Sequence, residues 1–112
     1  MTTRLFRLAF VTALVVIFVL SLMPVPEGLM VFSWQDKVEH VLAFFGLGLL
    51  GLASRLGRPV VTMTGLLAYG GLIELAQGMT SYRMADPADF LADAIGVALA
   101  AVTIRVWMQR TI

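Results

Sequence analysis

The only histidine of this 112-residue chain, His40, closes the run Asp36-Lys37-Val38-Glu39-His40. On a helix a carboxylate four residues away lies on the same face as the imidazole. It can fix the ring tautomer and favour the imidazolium, so the pair could act as a general base or proton relay. Glu74 and Gln77, three apart, and Asp89 and Asp93, four apart, repeat that helical spacing. Lys37 and Arg83 are the cations close to these sets, and both could hold an anion by charge-assisted hydrogen bonds. One imidazole among several carboxylates could hold a hard divalent cation through oxygen. No His-x-x-x-His or comparable spacing argues for zinc, and no nucleophile motif stands beside His40. No catalytic residue, metal ligand or cofactor is assigned on these grounds.

The elements that must position these residues are apolar. Hydrophobic residues make up 60% of the chain and charged ones 13%, against about 45–50% and about 25% in ordinary soluble domains. A single domain of this size has too much surface for its volume to bury that much apolar side chain in water, so lipid must be its solvent. Cysteine is absent, which excludes disulfides and thiolate chemistry, and no Lys/Arg-rich run suggests nucleic acid. Spans are predicted at about 5–23, 38–53, 59–78 and 87–108, each near the length that crosses a bilayer. The expected fold is all-α: one domain over 1–112, four transmembrane helices in an antiparallel bundle. The first span could be a signal peptide, but "SLMPVPEG" is a poor cleavage site. Arg4, Arg7, Arg55, Arg58, Arg105 and Arg110 fall on one side of this layout, and only Lys37 and Arg83 on the other. The positive-inside rule then places both termini in the cytoplasm. Every carboxylate lies in the outer half.

At about 100° per residue, three stripes emerge. Asp36 and His40 lie above Phe44, Leu47 and Gly51; Glu74 and Gln77 accompany Gly70, Gly71 and Gly78; Asp86, Asp89 and Asp93 lie above Gly96 and Ala100. Small residues let membrane helices approach, so these stripes should face one another and enclose an outward-facing polar cluster. The first helix has no such stripe and should pack peripherally against lipid. Simpler roles compete. Ser33-Trp34-Gln35-Asp36 has the form of a capping box, and Asp86-Pro87-Ala88-Asp89 of a helix start. Lys37 could snorkel to the head groups, and Trp34, Tyr82 and Trp107 read as interfacial aromatics. "GLGLLG" at 46–51 matches a dinucleotide fingerprint in letters only, because its glycines lie inside a span, where they serve packing.

"DKVEHVLAFFGLGLL" at 36–50, "GLIELAQ" at 71–77 and "DFLADAIGVALA" at 89–100, with Arg83 between the last two, resemble the VanZ-like membrane proteins. The resemblance covers about residues 34–102. It carries the family pattern onto Asp36, Lys37, His40, Glu74, Gln77, Arg83, Asp89 and Gly96, and places Asp93 where the family usually has asparagine. It implies a four-span protein of the bacterial plasma membrane with an outward polar cluster; most members have no assigned biochemical activity. Two kinds of function are expected. In one, the cluster binds a polar lipid or cell-envelope head group, with Lys37 and Arg83 on an anion and His40, assisted by Asp36, as base if there is chemistry. In the other, the protein is a small accessory subunit of a larger membrane complex and the cluster locks its helices.

Overall fold

A computed structural model describes residues 2–24, 34–81 and 86–111, with side chains as far as 107. It contains four helices: α1 (Thr3–Leu22), α2 (Gln35–Ala53), α3 (Pro59–Gly78) and α4 (Pro87–Thr111). Their starts follow local chemistry. The Leu5 amide donates to Thr2 Oγ1 at 3.4 Å, which caps α1. Pro59 and Pro87 open α3 and α4, where a missing N–H is no loss. The Ala88 amide donates to Asp86 Oδ1 at 2.9 Å, so Asp86 caps α4 as its sequence suggests. The capping box expected for α2 rests on Ser33, which is outside the described residues. Trp34 occupies the N-cap position without a side-chain cap bond, and Asp36 Oδ2 lies 2.8 Å from Lys37 Nζ. Glu27, Tyr82 and Arg83 also lie outside the described residues.

Three helices, α1, α3 and α4, are long and apolar enough to cross a membrane, which fits a membrane protein. The second expected span does not qualify by the same measure, because Asp36, Lys37 and Glu39 crowd the first five residues of α2. Yet α2 is the central helix, touching α1, α3 and α4. The starts of α2 and α4 meet the ends of α1 and α3 at one polar end. Lys37 reaches Asp86 and Asp89 there, and Gln77 donates to the Ser21 carbonyl. Successive helices therefore alternate in direction, as an antiparallel bundle requires.

The small-residue stripes set how closely α2 and α4 approach. A Cβ on Gly96 would lie 2.5 Å from the Val41 carbonyl oxygen, and one on Gly48 would lie 2.5 Å from Ala100 Cβ. Gly51 likewise leaves room for the Phe10 ring, whose Cε1 would meet an added Cβ at 3.0 Å. The "GLGLLG" glycines are thus inside a helix, and two of them serve packing. Phe44, Leu47, Leu66, Ile73 and Val97 form the core below the polar end, joined by Phe10 from α1. Phe10 is the one buried residue of α1. Leu8, Val11, Val15 and Val19 point outward, so this helix is peripheral as expected.

At the opposite end Arg7 closes α2. Its Nε donates to the Ser54 carbonyl at 2.9 Å and its Nη2 to the Arg55 carbonyl at 3.0 Å. Carbonyls at a helix C-terminus lack intrahelical donors, and a guanidinium answers two at once. Arg7→Ala is expected to lower stability by about 1 kcal/mol in a detergent-micelle unfolding titration, with Arg4→Ala unchanged. Equal loss from both would reduce Arg7 to a generic membrane-interface charge.

Candidate functional site

Every described residue of the expected cluster lies at the polar end. His40, in the second turn of α2, places Nδ1 at 2.6 Å from Asp93 Oδ1 on α4. Asp93 has no exposed surface. With Asp93 ionised its carboxylate accepts from Nδ1–H, and in the neutral ring that tautomer leaves the lone pair on Nε2. Nε2 faces Asp89 Oδ2 at 3.8 Å. The residue that orients the imidazole is therefore Asp93 and not Asp36, whose carboxylate is drawn to Lys37.

Lys37 has a fuller role than snorkelling. Its Nζ lies 2.8 Å from Asp36 Oδ2, 2.7 Å from Asp86 Oδ2 and 2.7 Å from Asp89 Oδ1. Hydrogen bonds to Asp36, Asp86 and Asp89 push the lysine pKa above its ordinary value. The bond from Lys37 holds the Asp86 carboxyl below the usual carboxylate range. An ammonium with three donors and three carboxylates around it is not free to hold an anion, as the sequence had suggested for it. Glu39, in contrast, is exposed and accepts from Gln35 Nε2 at 3.0 Å.

α3 supplies the third wall. Glu74 Oε2 accepts from the Asp86 amide at 2.8 Å, and Gln77 Nε2 donates to the Ser21 carbonyl at 2.9 Å. Both side chains are buried, Glu74 at 8% and Gln77 at 3% exposure. Among the described residues Glu74 Oε1, Gln77 Oε1 and Asp93 Oδ2 have no hydrogen-bond partner, and Asp89 Oδ1 has only its ion-pair contact with Lys37. Gly70 makes room for Asp93 Oδ2, since a Cβ there would stand 2.8 Å from it.

No family model, curated protein or solved structure matches this chain.

The chemistry follows from the atoms themselves. Asp36, Glu74, Asp86, Asp89 and Asp93 converge on Lys37 and His40, so among the described residues acceptors outnumber donors and negative charge outnumbers positive. Such a site suits a ligand that brings hydroxyls or positive charge. Asp86 was legible as a cap and as part of the α4 stripe, but not as a member of the cluster. The structure adds its carboxylate to the Lys37 knot and its amide to Glu74, joining α2, α3 and α4. Its three-residue spacing from Asp89 is the signal that could have revealed this. Beside the cluster, an apolar groove of about 400 Å³ runs between α2 and α4 past Val41, Leu42, Leu91 and Ile95, with Lys37 at its rim.

Proposed function

We propose that this is a multi-pass plasma-membrane protein of the VanZ-like kind, crossing four times with both termini cytoplasmic. Its outward polar cluster engages the hydroxyl-bearing head group of a lipid or cell-envelope component. α2 joins the other three as a span because its charges sit at one end and are answered by α4. Buried unpaired acceptors cost about 1–3 kcal/mol each, and Glu74 Oε1, Gln77 Oε1 and Asp93 Oδ2, all on residues of the polar end, have no partner among the described residues. That observation carries the reading. Hydroxyl donors would satisfy these acceptors, and the adjoining groove suits an acyl chain. The resemblance in motif spacing supports the membrane setting. No nucleophile beside His40 suggests turnover, so binding is favoured over catalysis.

Native mass spectrometry of the detergent-purified protein is expected to retain a glycerol- or sugar-headed lipid. Gln77→Leu should release it, because an acceptor is lost and an apolar branch takes its place. Equal retention by wild type and variant would end this reading. A second reading has its own support: Lys37 and His40 tie α2 to α4 strongly enough for the cluster to be a lock. The chain would then be an accessory subunit, and mild native purification would bring down a stoichiometric larger membrane protein.

A further inference from the structure

Three side chains at the polar end share one construction. Each has one polar atom anchored by a neighbour and a second that is not. His40 is held at Nδ1 by Asp93, which leaves Nε2. Asp89 is held at Oδ1 by Lys37, which leaves Oδ2, 3.8 Å from His40 Nε2. Glu74 is held at Oε2 by the Asp86 amide, which leaves Oε1 buried and without a partner among the described residues. One ligand atom from each of His40, Glu74 and Asp89 lies within 4.8 Å of the other two.

We propose that His40, Glu74 and Asp89 bind one divalent transition-metal cation of the Mn²⁺, Fe²⁺ or Zn²⁺ class. This inference rests on the head-group reading only in taking the cluster to be open to solutes. Donors around such an ion stand about 3–3.5 Å apart, since each bond is about 2.1 Å long. The 4.8 Å limit on the present spacing leaves up to about 1.3–1.8 Å for the three side chains to close around the ion. One imidazole and two carboxylates form a mixed nitrogen–oxygen set, which these ions accept and which leaves coordination positions open. Two carboxylate charges balance the ion. Asp93 on Nδ1 then does what carboxylates behind metal-bound histidines do, fixing the tautomer and raising the basicity of Nε2. The neighbouring acidic group of Asp36, Asp86 and Asp89 is a contrast. The Lys37 ammonium already supplies the positive charge there, so it carries no ion.

The test uses the full chain in lipid-free detergent micelles, stripped with chelator and titrated with Mn²⁺ under electron paramagnetic resonance. One saturable site per chain is expected, with ¹⁴N modulation in the spin echo from His40. Glu74→Gln and His40→Gln should each weaken binding at least about 10-fold, and Asp93→Asn about 10–100-fold. Asp36→Asn should stay within about 2-fold of wild type, because Asp36 supplies none of the three ligand atoms and its carboxylate pairs with Lys37. Wild-type protein without saturable binding, bound Mn²⁺ without nitrogen coupling, or unchanged affinity in Glu74→Gln would each overturn the assignment. The nitrogen coupling needs no variant to fold. Metal binding without lipid retention would uphold this site and remove the head-group reading, whereas lipid retention without metal binding would do the reverse.

Discussion

Gly96→Ala is expected to destabilise the bundle by about 2–3 kcal/mol, the usual range for overpacking a close contact. The added Cβ would sit 2.5 Å from the Val41 carbonyl oxygen, 2.9 Å from the Phe45 amide nitrogen and 3.0 Å from Phe44 Cβ. Two of those atoms are backbone and cannot rotate aside, so α2 and α4 must separate. His40 lies one residue before Val41, and Asp93 three before Gly96. Separation therefore stretches the 2.6 Å His40–Asp93 bond that joins the same two helices. Gly46→Ala is the control, because its Cβ would meet nothing within 4 Å. Within a helix that change should be neutral or stabilising by about 0.5–1 kcal/mol. Unfolding titrations in micelles compare the two, and equal stability in both variants would mean that the helices do not cross this closely at Gly96.

The contrast between these glycines shows what the sequence could and could not supply. Helix boundaries were readable because prolines and apolar runs act locally: Pro59 and Pro87 begin α3 and α4 as expected. Face assignment was readable as well, since spacing along one helix fixes which side chains share a side, and the three stripes do meet. What spacing within a helix does not encode is the pairing between helices. Asp36 and His40 share a face, yet the imidazole takes its partner from α4, because the closeness permitted by Gly96 brings Asp93 within 2.6 Å. The same limit hid Asp86, whose capping role is local and legible while its bonds to Lys37 and Glu74 are long-range. The Ser21 carbonyl, which receives Gln77, carries no sequence signal, since any residue has a carbonyl. The charges of α2 make the same point, since Lys37 pairs with Asp36 inside the helix and also with Asp86 and Asp89 beyond it, and spacing along α2 announces only the first of these.

That neutralisation makes Lys37→Met the most informative electrostatic change. Methionine keeps the length and apolar stem of lysine but leaves Asp36, Asp86 and Asp89 facing one another without a cation. Removing one partner from a buried ionic group costs about 3–5 kcal/mol. Here the Lys37 side chain is 30% exposed while Asp89 is 8% exposed, so solvent screening reduces the expected loss to about 2 kcal/mol at neutral pH. The pH dependence separates charge from packing. In the wild type the raised Lys37 pKa means that its contribution is present below the ordinary lysine value of 10.5 and is lost only as pH rises through the higher folded value. The lowered Asp86 pKa means that its contribution is present above 3.8 and is lost as pH falls through the lower folded value. Wild-type stability from this knot should therefore be level between about pH 5 and 9. In Lys37→Met the sign reverses. Crowded carboxylates without a cation take up protons more readily when folded than when unfolded, so the variant gains stability as pH falls. At least half of the deficit should return between pH 7.5 and about pH 5, and adding Asp86→Asn should recover a similar share at neutral pH. A deficit that stays constant across that range and resists Asp86→Asn would show that the lysine stem, through packing, holds α2 to α4. The acidic cluster would then owe its assembly to the helix crossing at Gly96 alone.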